Sequence, residues 1–113
     1  IIRPLLMRLG LSMLEDPAGR TGGAAGGAYL NALLWIERFA ALQDLVKSTY
    51  LPRYLEFATL VSSDEDPDAA RVAAFMAAHE CAIVALAANV MAGQADPVAP
   101  VAALLHFPLP RPA

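Results

Sequence analysis

Two adjacent ionisable residues, His79 and Glu80, sit in the middle of an otherwise apolar run, Val72 to Met91 (VAAFMAAHECAIVALAANVM). A histidine beside a carboxylate is suited to general acid/base transfer or to metal ligation. Placing both in an apolar helix costs free energy unless each finds a polar partner. His79 and Glu80 are therefore the candidate catalytic residues, and Glu37, Glu56, His79 and Glu80 the candidate metal ligands. Consecutive helical residues diverge by about 100°, so His79 and Glu80 are expected to face different packing surfaces and to draw partners from other helices. The purely structural alternative has His79 donating to a carbonyl or carboxylate, and Glu80 paired with an arginine such as Arg38 or Arg53.

Other chemistry-bearing residues are less promising. Cys81 needs a nearby base to become a nucleophile, and His79 is expected on a different face, so Cys81 reads as a small hydrophobe. The glycine-rich stretch Ala18 to Gly27 (AGRTGGAAGG) could offer backbone N–H groups to an anion. It lacks a G-K-[ST] motif, however, and no strand precedes it, so it reads as a flexible connector. Glycines four residues apart could alternatively continue a helix and allow close helix contact. His106 is expected to meet the terminal carbonyls of the last helix.

The elements that must position these residues are helical, since no run alternates β-branched and polar residues. A first helix is expected over about Pro4 to Glu15, with Leu5, Leu6, Leu9 and Met13 on its apolar face and Asp16-Pro17 ending it. A second runs from about Ala28 to Tyr50, its stripe of Ala28, Ala32, Trp35, Phe39, Leu42 and Val46 marking core. Pro52 forces a kink or restart, and a third segment covers about Pro52 to Ser62. After the acidic, exposed linker Ser63 to Asp66, Asp66 caps the long helix, with Pro67 at its first position and Gly93 just past its end. A short helix over about Pro97 to His106 and an extended proline-rich tail, Phe107 to Ala113, complete the chain.

The long helix sorts into rows. Val72, Met76, His79, Ile83, Leu86 and Val90 form a bulky one. Ala74, Ala78, Cys81, Ala85, Ala88 and Ala92 form a row of small residues that lets another helix approach closely.

Composition sets the outer limits. The chain has 113 residues, 58% of them hydrophobic and only 17% charged, which suits a single helical domain with a surplus of apolar surface. Eleven acids against eight bases give a net charge of −3, and the bases do not cluster, so no nucleic-acid partner is expected. Cys81 alone allows no internal disulfide and fits a reducing compartment. With no secretory leader visible, the expected location is cytoplasmic. The opening IIRPLLMRLG has no initiator methionine, which predicts a processed product or a piece of a longer protein. Val72 to Met91 is about long enough to cross a bilayer. Its alanine content, central charge and lack of aromatic flanks argue for a buried helix instead, so no membrane span is expected.

Glu37 on the Trp35 helix, the linker Glu65-Asp66-Pro67-Asp68 and Ala78-His79-Glu80 together resemble the ferritin-like superfamily, over about Gly27 to Gly93. That resemblance implies a helical bundle with a carboxylate-bridged di-iron or di-manganese site and a metal-dependent oxidoreductase or hydroxylase activity. The Glu-x-x-His pairs of such a site are absent, so the resemblance implies a site lost or completed from outside this chain.

The expected architecture is all-α, an antiparallel bundle of four main helices plus a short C-terminal helix. Burying a helix on all sides takes roughly five or six neighbours at 8–10 Å spacing. The chain supplies at most four others. Its expected role is therefore a helical association module that forms a homo-oligomer or packs with a partner chain through the alanine-rich helix. The metal enzyme is the alternative.

Overall fold

A computed structural model describes residues 2–11 and 17–106. The chain is all-α: the described residues form helices and turns with no strand. Its helices are α1 (Arg3–Arg8), α2 (Pro17–Ala32), α3 (Trp35–Leu45), α4 (Leu51–Leu60), α5 (Pro67–Met91) and α6 (Ala99–Ala102), with a π-helical segment, Val46–Tyr50, joining α3 to α4.

The π segment is the chain's answer to Pro52. A proline inside an α-helix lacks an N–H and its ring collides with the carbonyl four residues back. Here the N–H of Leu51 reaches to the carbonyl of Val46, a wider turn that relieves that collision. The backbone stays right-handed helical at Leu45, Val46, Tyr50 and Leu51. Trp35 to Leu60 therefore forms one rod with a π-bulge at its middle, instead of breaking at Pro52.

The expected helix from Ala28 to Tyr50 does break, further upstream. Leu34 is extended at φ −62°, ψ 157°, and separates α2 from α3. Side chains on the α3 side satisfy the groups this break exposes. Glu37 accepts from the Leu34 N–H at 3.3 Å. The Arg38 guanidinium donates to the carbonyls of Leu30, Asn31 and Leu33 at 3.0, 3.2 and 3.3 Å, and its carbon lies 5.9 Å from the Trp35 ring.

Around a short turn, the rod packs antiparallel to α5. Val61 leaves the rod extended, and Ser63–Glu65 make the exposed reversal. Asp66 caps α5 as expected, accepting from the Ala69 N–H at 3.1 Å. It is also held by Arg8 at 2.8 Å, which pins α1 to the hairpin. Gly93, at φ +68°, ends α5 in the left-handed conformation that glycine adopts without Cβ strain. Farther along, Gln43 Nε2 donates to the Val84 carbonyl at 3.2 Å, placing the last turn of α3 level with Val84.

The seam of this hairpin is narrow. Ala73, Glu80 and Ala87 recur every seven residues along α5 and are all buried, as is Val46 on the rod. A second small cluster joins Leu5 of α1 to Ala69 and Val72, with Ile2, Val61 and Met76 around it. The α6 end returns along another side of α5, bringing the His106 ring to 6.2 Å from Phe75. His106 thus faces Phe75 instead of capping a helix, and the last helix is shorter than expected.

Several other expectations need correcting. Among the described residues, two long rods, Trp35–Leu60 and α5, pack lengthwise. The supposed connector Ala18–Gly27 lies inside α2, an almost wholly exposed helix whose neighbour among the described elements is α3. The first helix closes at Arg8, with Gly10 at φ +70° after it. Leu9 is exposed, and Met13 lies outside the described residues. Trp35, expected in the core, is 61% exposed, because the break at Leu34 leaves only the downstream half of its stripe against α5. The proline-rich tail Phe107–Ala113 also lies outside the described residues.

Candidate functional site

Glu80 projects into the hairpin seam between Ala73 and Ala87. In the register set by Gln43 and Val84, it is level with the π segment. Irregular helical turns of this type recur at functional sites, so the placement gives Glu80 its interest. Its side chain is only 9% exposed, whereas that of His79 is 41% exposed.

His79 Nδ1 lies 3.2 Å from Glu80 Oε1. The two were expected to face different surfaces, and their Cβ atoms do start about 100° apart. The longer carboxylate side chain spans that divergence and closes the pair. An ionised carboxylate only accepts, so with Glu80 ionised the proton sits on Nδ1. The lone pair of the neutral ring is then on Nε2. This arrangement fixes one tautomer and supplies a proton acceptor or a single metal ligand. On its other side the His79 ring lies 6.3 Å from Phe75.

The remaining candidates lie elsewhere. Glu37 is exposed at the start of α3, where its carboxylate caps the rod. Glu56 is exposed on α4. At 1.5 Å per residue the two are separated by roughly 28 Å along one rod, with His79 level with a point between them. Among the described residues, no group of three or more His, Cys, Asp or Glu side chains could hold a metal ion. The donor set for a carboxylate-bridged di-metal centre therefore does not assemble from Glu37, Glu56, His79 and Glu80. Arg38, a suggested partner for Glu80, is committed to the α2–α3 elbow, and Arg53 is exposed on α4. His79 takes the place expected of an arginine.

The opposite side of α5 has a different character. Ala74, Ala78, Cys81, Ala88 and Ala92 are exposed, and Ala85 is half-buried. These residues recur at spacings of three and four and form one stripe. The rod covers one side of α5 and α6 another, leaving this stripe bare. α5 is also the one helix among the described residues long and apolar enough to cross a membrane by length and composition, yet only 17% of its most apolar window is buried.

A shallow cleft of about 190 Å³ lies where α1 meets α5, lined by Pro4, Leu5, Arg8, Asp68, Arg71 and Val72. Its charged groups are paired locally: Arg8 with Asp66, and Arg71 with Asp68 at 3.2 Å. It does not adjoin the His79–Glu80 pair.

No protein-family model, curated protein or solved structure matches the chain. The functional reading therefore rests on this geometry.

Proposed function

We propose that the protein is a helical association module, whose work is to pack against another helical surface through α5. The observation that carries this reading is the bare small-residue stripe from Ala74 to Ala92 on α5, the longest helix among the described residues. Small side chains let a facing helix approach to the close end of the 8–10 Å range. An apolar helix left largely uncovered in water marks an interaction surface. Exposed Tyr29, Leu34, Trp35 and Ile36 at the α2–α3 elbow add further uncovered apolar area.

The reading has a direct test on the purified chain. A chain that associates, or that binds an apolar dye while keeping its native helicity, supports it. A cooperative, dye-silent monomer would count against it.

A second reading has one observation in its favour, the buried Glu80 carboxylate bonded to a half-exposed His79 beside the π segment. It makes the chain a ferritin-like metal-dependent oxidoreductase or hydroxylase, with iron or manganese held in part by His79 and Glu80. Further ligands would have to come from beyond the described residues. Metal analysis of chelator-free protein and of His79→Leu separates the readings. Stoichiometric iron or manganese that is lost in the variant favours the enzyme. A metal-free chain whose helicity survives His79→Leu favours the association module.

A further inference from the structure

The helix α2 has little of its own to hold it together in water. It carries five glycines in its 16 residues, and each lowers the helix–coil equilibrium about fivefold relative to alanine. Together they weaken the helix on the order of a thousandfold. At this length even an alanine-rich helix is marginal when it stands alone.

Packing does not offset this. From Pro17 to Tyr29 every residue is exposed, Leu30 is half-buried, and the neighbour of α2 among the described elements is α3. A Cβ at Gly22, Gly23, Gly26 or Gly27 would meet nothing within 4 Å, so no close approach of another element calls for glycine there. The helix has no acid in its first turn and no base in its last, which leaves its dipole uncompensated by its own side chains.

What support α2 receives comes from the next helix and at one end. The Arg38 guanidinium donates to the carbonyls of Leu30, Asn31 and Leu33 at 3.0, 3.2 and 3.3 Å. It thereby satisfies acceptors left open at a helix C-terminus and places a positive charge where the dipole favours one. Gly22 lies roughly 12 Å along the axis from Leu30, beyond the reach of this contact.

We infer that α2 is a conditionally folded arm, which opens to coil and recloses as a unit of its own while the hairpin of the rod and α5 stays folded. Arg38 is the latch at its closed end. Segments with few buried contacts and solvent-exposed backbone bonds open at the low end of a protein's range. The break at Leu34 lets this happen without unwinding α3, because Leu34 is extended and Glu37 caps α3 independently through the Leu34 N–H. By contrast α5 is capped by Asp66 and buries Ala73, Glu80 and Ala87 against the rod. A change at the Arg38 contact therefore shifts α2 between helix and coil and leaves α5 as it is. The arm is separate from the packing of α5 and stands whether or not α5 associates.

Native-state hydrogen exchange on the whole chain, read segment by segment by mass spectrometry, tests the arm. Relative to their intrinsic rates, the amides from Gly22 to Ala28 should exchange at least about a hundredfold faster than those from Ala73 to Ala87. Combining Gly22→Ala with Gly26→Ala should slow α2 by about 25-fold, fivefold for each position, with the α5 rates unchanged. Arg38→Ala should hasten α2 exchange, again with α5 unchanged. Equal protection of α2 and α5 in the native chain would overturn the inference, since the chain would then open as one unit. An α2 that exchanges fast but is not slowed by the paired alanines would overturn it as well. Fast exchange unmoved by Arg38→Ala would overturn the latch.

Discussion

Gln43 Nε2 donates to the Val84 carbonyl across the hairpin at 3.2 Å, tying the α3 half of the rod to the C-terminal half of α5. This bond crosses a seam whose α5 side presents Ala73, Glu80 and Ala87 and whose rod side presents Val46. Gln43→Ala should lower stability by about 1 kcal/mol, as expected for a net hydrogen bond. Urea unfolding followed by circular dichroism checks it, and a wild-type midpoint would show that the seam fixes the register unaided.

Arg38 holds the α2–α3 elbow by donating to three main-chain carbonyls while lying against Trp35. Arg38→Ala should cost about 1.5–3 kcal/mol, because the donor is charged and the carbonyls lose a partner. Arg38→Lys should recover only part of this, since an ammonium cannot reproduce the planar fork. Hydrogen exchange should show the loss concentrated in α2 and the first turn of α3, with α5 protected as before.

Asp66 joins two jobs at the start of α5. The Ala69 N–H and then the Arg8 guanidinium hold its carboxyl below the ordinary aspartate range. A carboxylate whose pKa is lower in the folded state contributes stability above its unfolded pKa. That contribution is lost as pH falls through the folded pKa. Thermal unfolding between neutral pH and pH about 3 should therefore show an acid loss of stability that is reduced in Asp66→Asn. Arg8→Ala should reproduce part of that reduction, and the Ala69 N–H bond should supply the rest.

The parts of this fold legible in the sequence were those with local physical signatures. Asp66-Pro67 and Gly93 bracket α5 as their types require, and Pro52 perturbs the rod where its missing N–H demands. The small-residue stripe of α5 was readable from spacing alone. The break at Leu34 was not, because Leu33 and Leu34 are ordinary helix formers. It depends on Glu37 and Arg38 satisfying the exposed backbone groups from the far side. The His79–Glu80 bond was missed because the 100° rule describes Cβ directions, not the reach of a flexible glutamate. The glycine stretch misled for a similar reason: glycine lowers helix propensity without forbidding a helix.

The glycines of α2 provide a further check. An added Cβ at Gly22 or Gly26 meets nothing within 4 Å, and neither residue has a positive φ. Gly22→Ala and Gly26→Ala should each stabilise the helix by about 0.5–1 kcal/mol. Gly93→Ala should destabilise by about 1–2 kcal/mol, because its left-handed backbone strains a Cβ. Melting curves of the three variants test this, and destabilisation at Gly22 or Gly26 would show that another surface already packs against α2.

The central claim is that the bare face of α5 is an association surface, and the concentration dependence of unfolding tests its self-association most directly. Urea unfolding of the native chain should be measured at two concentrations about 100-fold apart. For a folded dimer that dissociates on unfolding, mass action adds about 2.7 kcal/mol at the higher concentration and moves the midpoint up by about 1 M. Superimposable unfolding curves would contradict the account.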